Sequence, residues 1–161
     1  MIPWRRPARP RAHATDPGTR IKSDGSKVVL VGVDDSVSSW RAAAYAAGLA
    51  RREDALLIMI YIRPVVAVTG PYGSVDVSPD HSHSILSHIT ESLRHTAGRG
   101  VPRWQFVVSR GDPSTGLIHA ADRYQADVVV LGTSRRRWGR FSSSVSCTLV
   151  KTARWPVTVV P

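Results

Sequence analysis

From Lys27 to Pro161 the chain alternates between short unbroken apolar runs and longer segments whose apolar residues recur every three or four positions. Val28-Val29-Leu30-Val31-Gly32-Val33 has no polar interruption, as expected of a strand buried on both faces of a sheet, and Asp34-Asp35-Ser36 follows with turn and N-cap chemistry. An alanine-rich helix is predicted over Val37 to Arg52, with Ala43, Ala47 and Ala50 spaced for close approach to a sheet. Ala55 to Ile62 reads as a second strand; from Arg63-Pro64 to Pro79, with Gly70, Pro71 and Gly73, the chain reads as irregular loop. A second helix is expected from Asp80 to Gly98, where Leu86, Ile89 and Leu93 share one face. Trp104 to Ser109, Ala126 to Leu131 and Val157 to Val160 supply three further strands. Pro113 to Tyr124, with Leu117, Ala121 and Tyr124 inward, and Ser144 to Ala153 supply two further helices.

Strands and helices alternating over short connections form right-handed βαβ units, so the expected fold class is α/β, an open, doubly wound, Rossmann-like five-stranded parallel sheet with helices on both faces. In the strand order 3-2-1-4-5 the switch point lies between strands one and four, where the loop after Val33 meets the loop after Leu131.

Composition narrows the reading. A chain of 161 residues, 42% hydrophobic, suits one globular domain. Its net charge of +10 is unevenly spread: Arg5, Arg6, Arg9, Arg11, Arg20, Lys22 and Lys27 face only Asp16 and Asp24 in the first 27 residues. Residues 1–26, rich in Pro, Gly and charge, are expected to be a flexible basic arm, and residues 27–161 the folded domain. No run approaches the roughly 18 apolar residues that span a bilayer, and Arg5-Arg6 is not followed by the apolar core of an export signal. With a single cysteine, Cys147, which cannot form an intrachain disulfide, a cytoplasmic location is expected. His81, His88 and His95 recur every seven residues, about 10.5 Å along a helix, too far apart for two imidazoles to share a metal, and are expected at the solvated surface.

The candidate chemistry is concentrated between Ala126 and Ser146. The run Val128-Val129-Val130-Leu131 stops at Gly132 and gives way to Thr133-Ser134, then Arg135, Arg136, Arg137 and Arg140, then Ser142, Ser143, Ser144 and Ser146. A loop beyond the carboxyl end of a buried parallel strand is a ligand position, and serines opening a helix offer hydroxyls and free N–H groups to an anion. Asp34, Asp35 and Asp112 sit at strand ends, but without a Ser/His/Asp order, a metal spacing or paired catalytic carboxylates no enzyme is expected beyond slow, incidental ATP hydrolysis.

Taken in order, Val-Gly-Val-Asp-Asp-Ser at 31–36, Ala-Asp-Val-Val-Val-Leu-Gly at 126–132, Ser-Val-Ser at 144–146 and Arg-Trp-Pro-Val-Thr-Val-Val at 154–160 resemble the universal stress protein (UspA-like) family, of the adenine nucleotide alpha hydrolase-like superfamily. The resemblance implies a stress-response regulatory protein that is usually dimeric, with ATP or another adenine nucleotide bound in part of the family and magnesium only alongside the nucleotide. It implies a nucleotide site of Val33 and Asp34, the latter near the adenine and ribose, Ile62 on the base, Leu131 and Gly132 at the end of the fourth strand, and Ser134, Arg135, Ser143, Ser144, Val145 and Ser146 beyond it. The loop departs from the family pattern, with Arg135 and Ser143 standing where that pattern has glycine and seven residues, 136–142, where it has nine. Two outcomes stay open: Arg135 grips phosphate through charge-assisted contacts, or it fills the loop and no nucleotide binds. A different class of function, nucleic-acid or acidic-partner binding, would use the basic arm and the loop Arg135-Arg136-Arg137-Trp138-Gly139-Arg140. The terminal Val157–Val160 strand is expected at a sheet edge, where a second copy would pair to make a homodimer.

Overall fold

The structure, a computed structural model, describes residues 25, 27–65, 67–71, 73–76, 79–95, 100–133, 145–152 and 154–161. The expected arm over residues 1–26 therefore lies outside the described residues apart from Gly25. In chain order the elements are β1 (Val28–Gly32), α1 (Val37–Arg52), β2 (Leu56–Arg63), β3 (Ala67–Gly70), β4 (Gly73–Asp76), α2 (Ser82–His95), β5 (Trp104–Arg110), α3 (Pro113–Arg123), β6 (Val128–Gly132), α4 (Val145–Thr152) and β7 (Val157–Val160). Five strands form a parallel sheet in the order β5-β2-β1-β6-β7, which is the doubly wound 3-2-1-4-5 arrangement.

Successive residues of each central strand enter opposite cores, so both faces of these strands are apolar as far as Arg63 at the end of β2. Val29, Val31, Leu57, Met59, Tyr61 and Val130 pack with α1 and α2. Val28, Leu30, Ile58, Ile60, Ile62, Val129 and Leu131 pack with α3 and α4. Asp127 ties β6 to the start of β1, its Oδ2 accepting from the Val28 amide at 2.7 Å.

The same closing device joins α1 to β2 and α3 to β6. Asp54 and Gln125 take positive φ of 49° and 50° just past the helix ends. The next amides, Ala55 and Ala126, donate back to the carbonyls of Ala50 and Ala121 at 2.8 and 2.9 Å. These are Schellman closures made without glycine, and each turns the chain straight into the next strand.

Two expectations are revised. The segment read as loop after Arg63 contains the antiparallel hairpin β3–β4, with Gly70 opposite Gly73. Arg63 anchors it to the main sheet, 3.1 Å from Asp76 and 3.7 Å from Asp80. The buried stripe of α1 is Ala42, Ala46 and Ala50, with Ala43 and Ala47 only partly covered, because Trp40 turns toward α2. There its ring stacks on His88 at 4.2 Å between centroids. His88 is exposed, as expected of a surface histidine, and in addition forms the outer half of this interhelical contact.

Candidate functional site

Parallel pairing sets Val29, Leu30 and Val31 of β1 beside Val128, Val129 and Val130 of β6, so both strands end together at the carboxyl edge of the sheet. Val33 continues from β1 and is buried, its amide donating to the Ile60 carbonyl at 2.9 Å. Asp34 then leaves the sheet and is exposed; its Oδ1 accepts from the Ser36 amide at 2.9 Å. Ser36 caps α1 by accepting from the Ser39 amide. Ser39, fully buried, closes the turn: its hydroxyl donates to the Asp34 carbonyl at 2.6 Å and accepts from the Asp34 amide at 3.2 Å. The Asp34 backbone is therefore fixed from two sides while its carboxylate stays in contact with solvent.

Opposite this turn, Gly132 ends β6. A Cβ on Gly132 would lie 2.5 Å from both the carbonyl carbon and oxygen of Ser38 and 2.7 Å from the Ser39 nitrogen. The missing side chain is what lets the first turn of α1 sit on the end of β6. One residue earlier, Leu131 points to the other face and closes over Gly32, where a Cβ would approach it to 3.1 Å. Ile62, near the end of β2, is buried on that same face against α3, and a Cβ on Gly116 would come within 2.6 Å of its Cδ1.

The structure thus brings together Val33, Asp34, Leu131 and Gly132 at one junction, with Ile62 one strand away and facing α3. Val145 and Ser146 open α4. Ser134, Arg135, Ser143 and Ser144 lie outside the described residues. Among the described residues no group of three or more His, Cys, Asp or Glu side chains is placed to hold a metal ion.

The sequence reading did not single out a groove of about 430 Å³ between β5 and α3, lined by residues that include Val107, Arg110, Thr115, His119, Arg123 and Tyr124. Its signal was present as Thr115, His119 and Arg123 at successive i, i+4 positions along one flank of α3. Asp112 opens this helix as its N-cap, accepting from the Thr115 amide at 2.8 Å and the Thr115 hydroxyl at 3.0 Å.

A doubly wound sheet with its strand ends meeting at a β1–β6 switch point defines the Rossmann-like α/β class of architecture. The sequence pattern of the universal stress protein family matches residues 25–161, and the chain belongs to that family. Solved structures agree on the fold. The universal stress protein UspA from Lactobacillus plantarum is 21% identical, with a TM-score of 0.62 over 84% of this chain and 97% of its own. A universal stress protein in complex with cAMP is 24% identical, with a TM-score of 0.65 over 84% and 96%. One from Archaeoglobus fulgidus in complex with dAMP is 20% identical, with a TM-score of 0.51 over 84% and 98%. A comparison with curated proteins returns no match.

Proposed function

We propose that this universal stress protein is a nucleotide-responsive regulatory module and not a dedicated catalyst, taking an adenine nucleotide such as ATP across the carboxyl ends of β1 and β6. The observation that carries the reading is the juxtaposition of Asp34 and Gly132 at the switch point, fixed by the β1–β6 register and the Ser39 clasp. An exposed carboxylate on an immobilised turn is suited to a ribose hydroxyl. Two proteins of similar fold, described as complexes with cAMP and dAMP, support the ligand class. Magnesium would enter only with the phosphates. The same reading pairs two copies through the edge strand β7.

Calorimetric titration with ATP and with cAMP tests it. Heat with at least one nucleotide is expected, with Asp34→Ala weakening binding about tenfold through loss of a charge-assisted hydrogen bond. No heat with either nucleotide rejects the reading. Arg135→Gly separates the two roles open to that arginine, since binding rises if it obstructs the loop and falls if it holds phosphate.

A further inference from the structure

On the face carrying α3 and α4, two helices lie over a sheet of five strands. α3 packs on β2 through Leu117, Ala120 and Ala121, and β5 lies beyond β2 at the edge of the sheet, its Val107 buried in the same cluster. Among the described residues a groove of about 430 Å³ opens between β5 and α3. Its volume is within the range of about 300–1,000 Å³ typical of small-molecule sites.

Its chemistry is divided. Ile60, Val107, Ala120 and Tyr124 are buried and make an apolar floor. At the end near the carboxyl terminus of α3, His119 and Arg123 stand one turn apart, and the Arg123 guanidinium lies 5.8 Å from the centre of the Tyr124 ring. Among the described residues Arg123 has no ion-pair partner, whereas its neighbour Asp122 is paired with Arg154. The other end holds Arg110 together with Asp112, whose carboxylate carries a negative charge into that half of the groove. An anion is therefore favoured at the His119–Arg123 end, next to a floor suited to a flat ring.

We propose that the β5–α3 groove is a second ligand site, separate from the β1–β6 junction, for a small organic anion with a flat apolar body such as an aromatic carboxylate or sulfonate. The ring system rests on Val107, Ala120 and Tyr124, and the acid group takes charge-assisted hydrogen bonds from Arg123 and His119.

The test uses the full chain, isotopically labelled, with 1-anilinonaphthalene-8-sulfonate as probe and its sulfonate-free parent as control. The sulfonate is expected to bind with amide shifts centred on Val107, Gly116 and Ala120, and more tightly than the parent. Arg123→Gln is expected to weaken it about tenfold and Arg110→Gln less than threefold, with both variants keeping their circular dichroism. Excess ATP should leave the shifts unchanged. Shifts centred on the ends of β1 and β6, displacement by ATP, or equal affinity for probe and parent would each overturn the proposal. The mapping on the unsubstituted chain decides the matter even if a variant does not fold, and loss of ATP binding alone leaves this second site standing.

Discussion

Two glycines in this protein answer differently to one added methyl group. At Gly132 the new Cβ would meet the main chain of Ser38 and Ser39, and the helix start cannot retreat without opening the Ser39 clasp. Gly132→Ala is expected to destabilise by about 1–3 kcal/mol or more. At Gly116 the obstruction is the Ile62 side chain, with Cδ1 at 2.6 Å and Cγ1 and Cγ2 at 3.2 and 3.3 Å, and no main chain. There the overpacking cost is offset by about 1 kcal/mol of helix propensity, so Gly116→Ala is expected to lie within about 1 kcal/mol of neutral. Urea midpoints for the two variants check the contrast, and equal losses would contradict it. Asp80 provides a pH-dependent case. Hydrogen bonds from the Ser82 hydroxyl and amide hold its carboxyl below the ordinary 3.8, with Arg63 adding to the effect. A depressed carboxyl stabilises the fold fully above its unfolded value and loses that contribution as pH falls through the folded one. Asp80→Asn should therefore be less stable than the parent chain at pH 7, and the gap between their midpoints should close below about pH 3.8.

Helices and strands owe their boundaries here to closures that differ in legibility. The start of α1 at Ser36 and of α3 at Asp112 was readable, because a capping side chain before an apolar-periodic run has a direct sequence signature. The helix ends were harder, since Asp54 and Gln125 adopt a conformation that glycine usually marks. Gln125→Gly should relieve that backbone and raise stability by about 1 kcal/mol, seen as a higher thermal midpoint; a lower one would show that the Gln125 side chain contributes more than its backbone costs. The central strands were legible because burial on both faces leaves unbroken apolar runs. The β3–β4 hairpin was not, since its strands carry no apolar face long enough to reveal a period and its attachment depends on Arg63 reaching Asp76. Of the candidate site, Asp34 and Gly132 were legible from their place at strand ends. The packing role of Gly132 was not, because it depends on which helix turn arrives above it. The β5–α3 groove was harder to read for a related reason, since Thr115, His119 and Arg123 mark one flank of α3 but not the strand that faces it.

At the scale of the whole molecule, the two edges of the sheet have opposite characters. β7 ends the sheet on one side with a short strand whose Val159 is exposed, and β5 ends it on the other beside the groove. If two copies join through β7, the sheet becomes continuous and the β5 strands become its extremes, nine strand intervals or about 43 Å apart before twist is allowed for. Spin labels at Val101→Cys, just before β5, in a Cys147→Ala background should report a separation of roughly 40 Å; absence of dipolar coupling would indicate a monomer or a different interface. The strand order then has a further result. The groove between β5 and α3 would appear twice, as two identical recesses near the opposite ends of the joined sheet. Their occupancy would be independent of assembly, so a molecule resting there would alter the ends of the particle without loosening its middle.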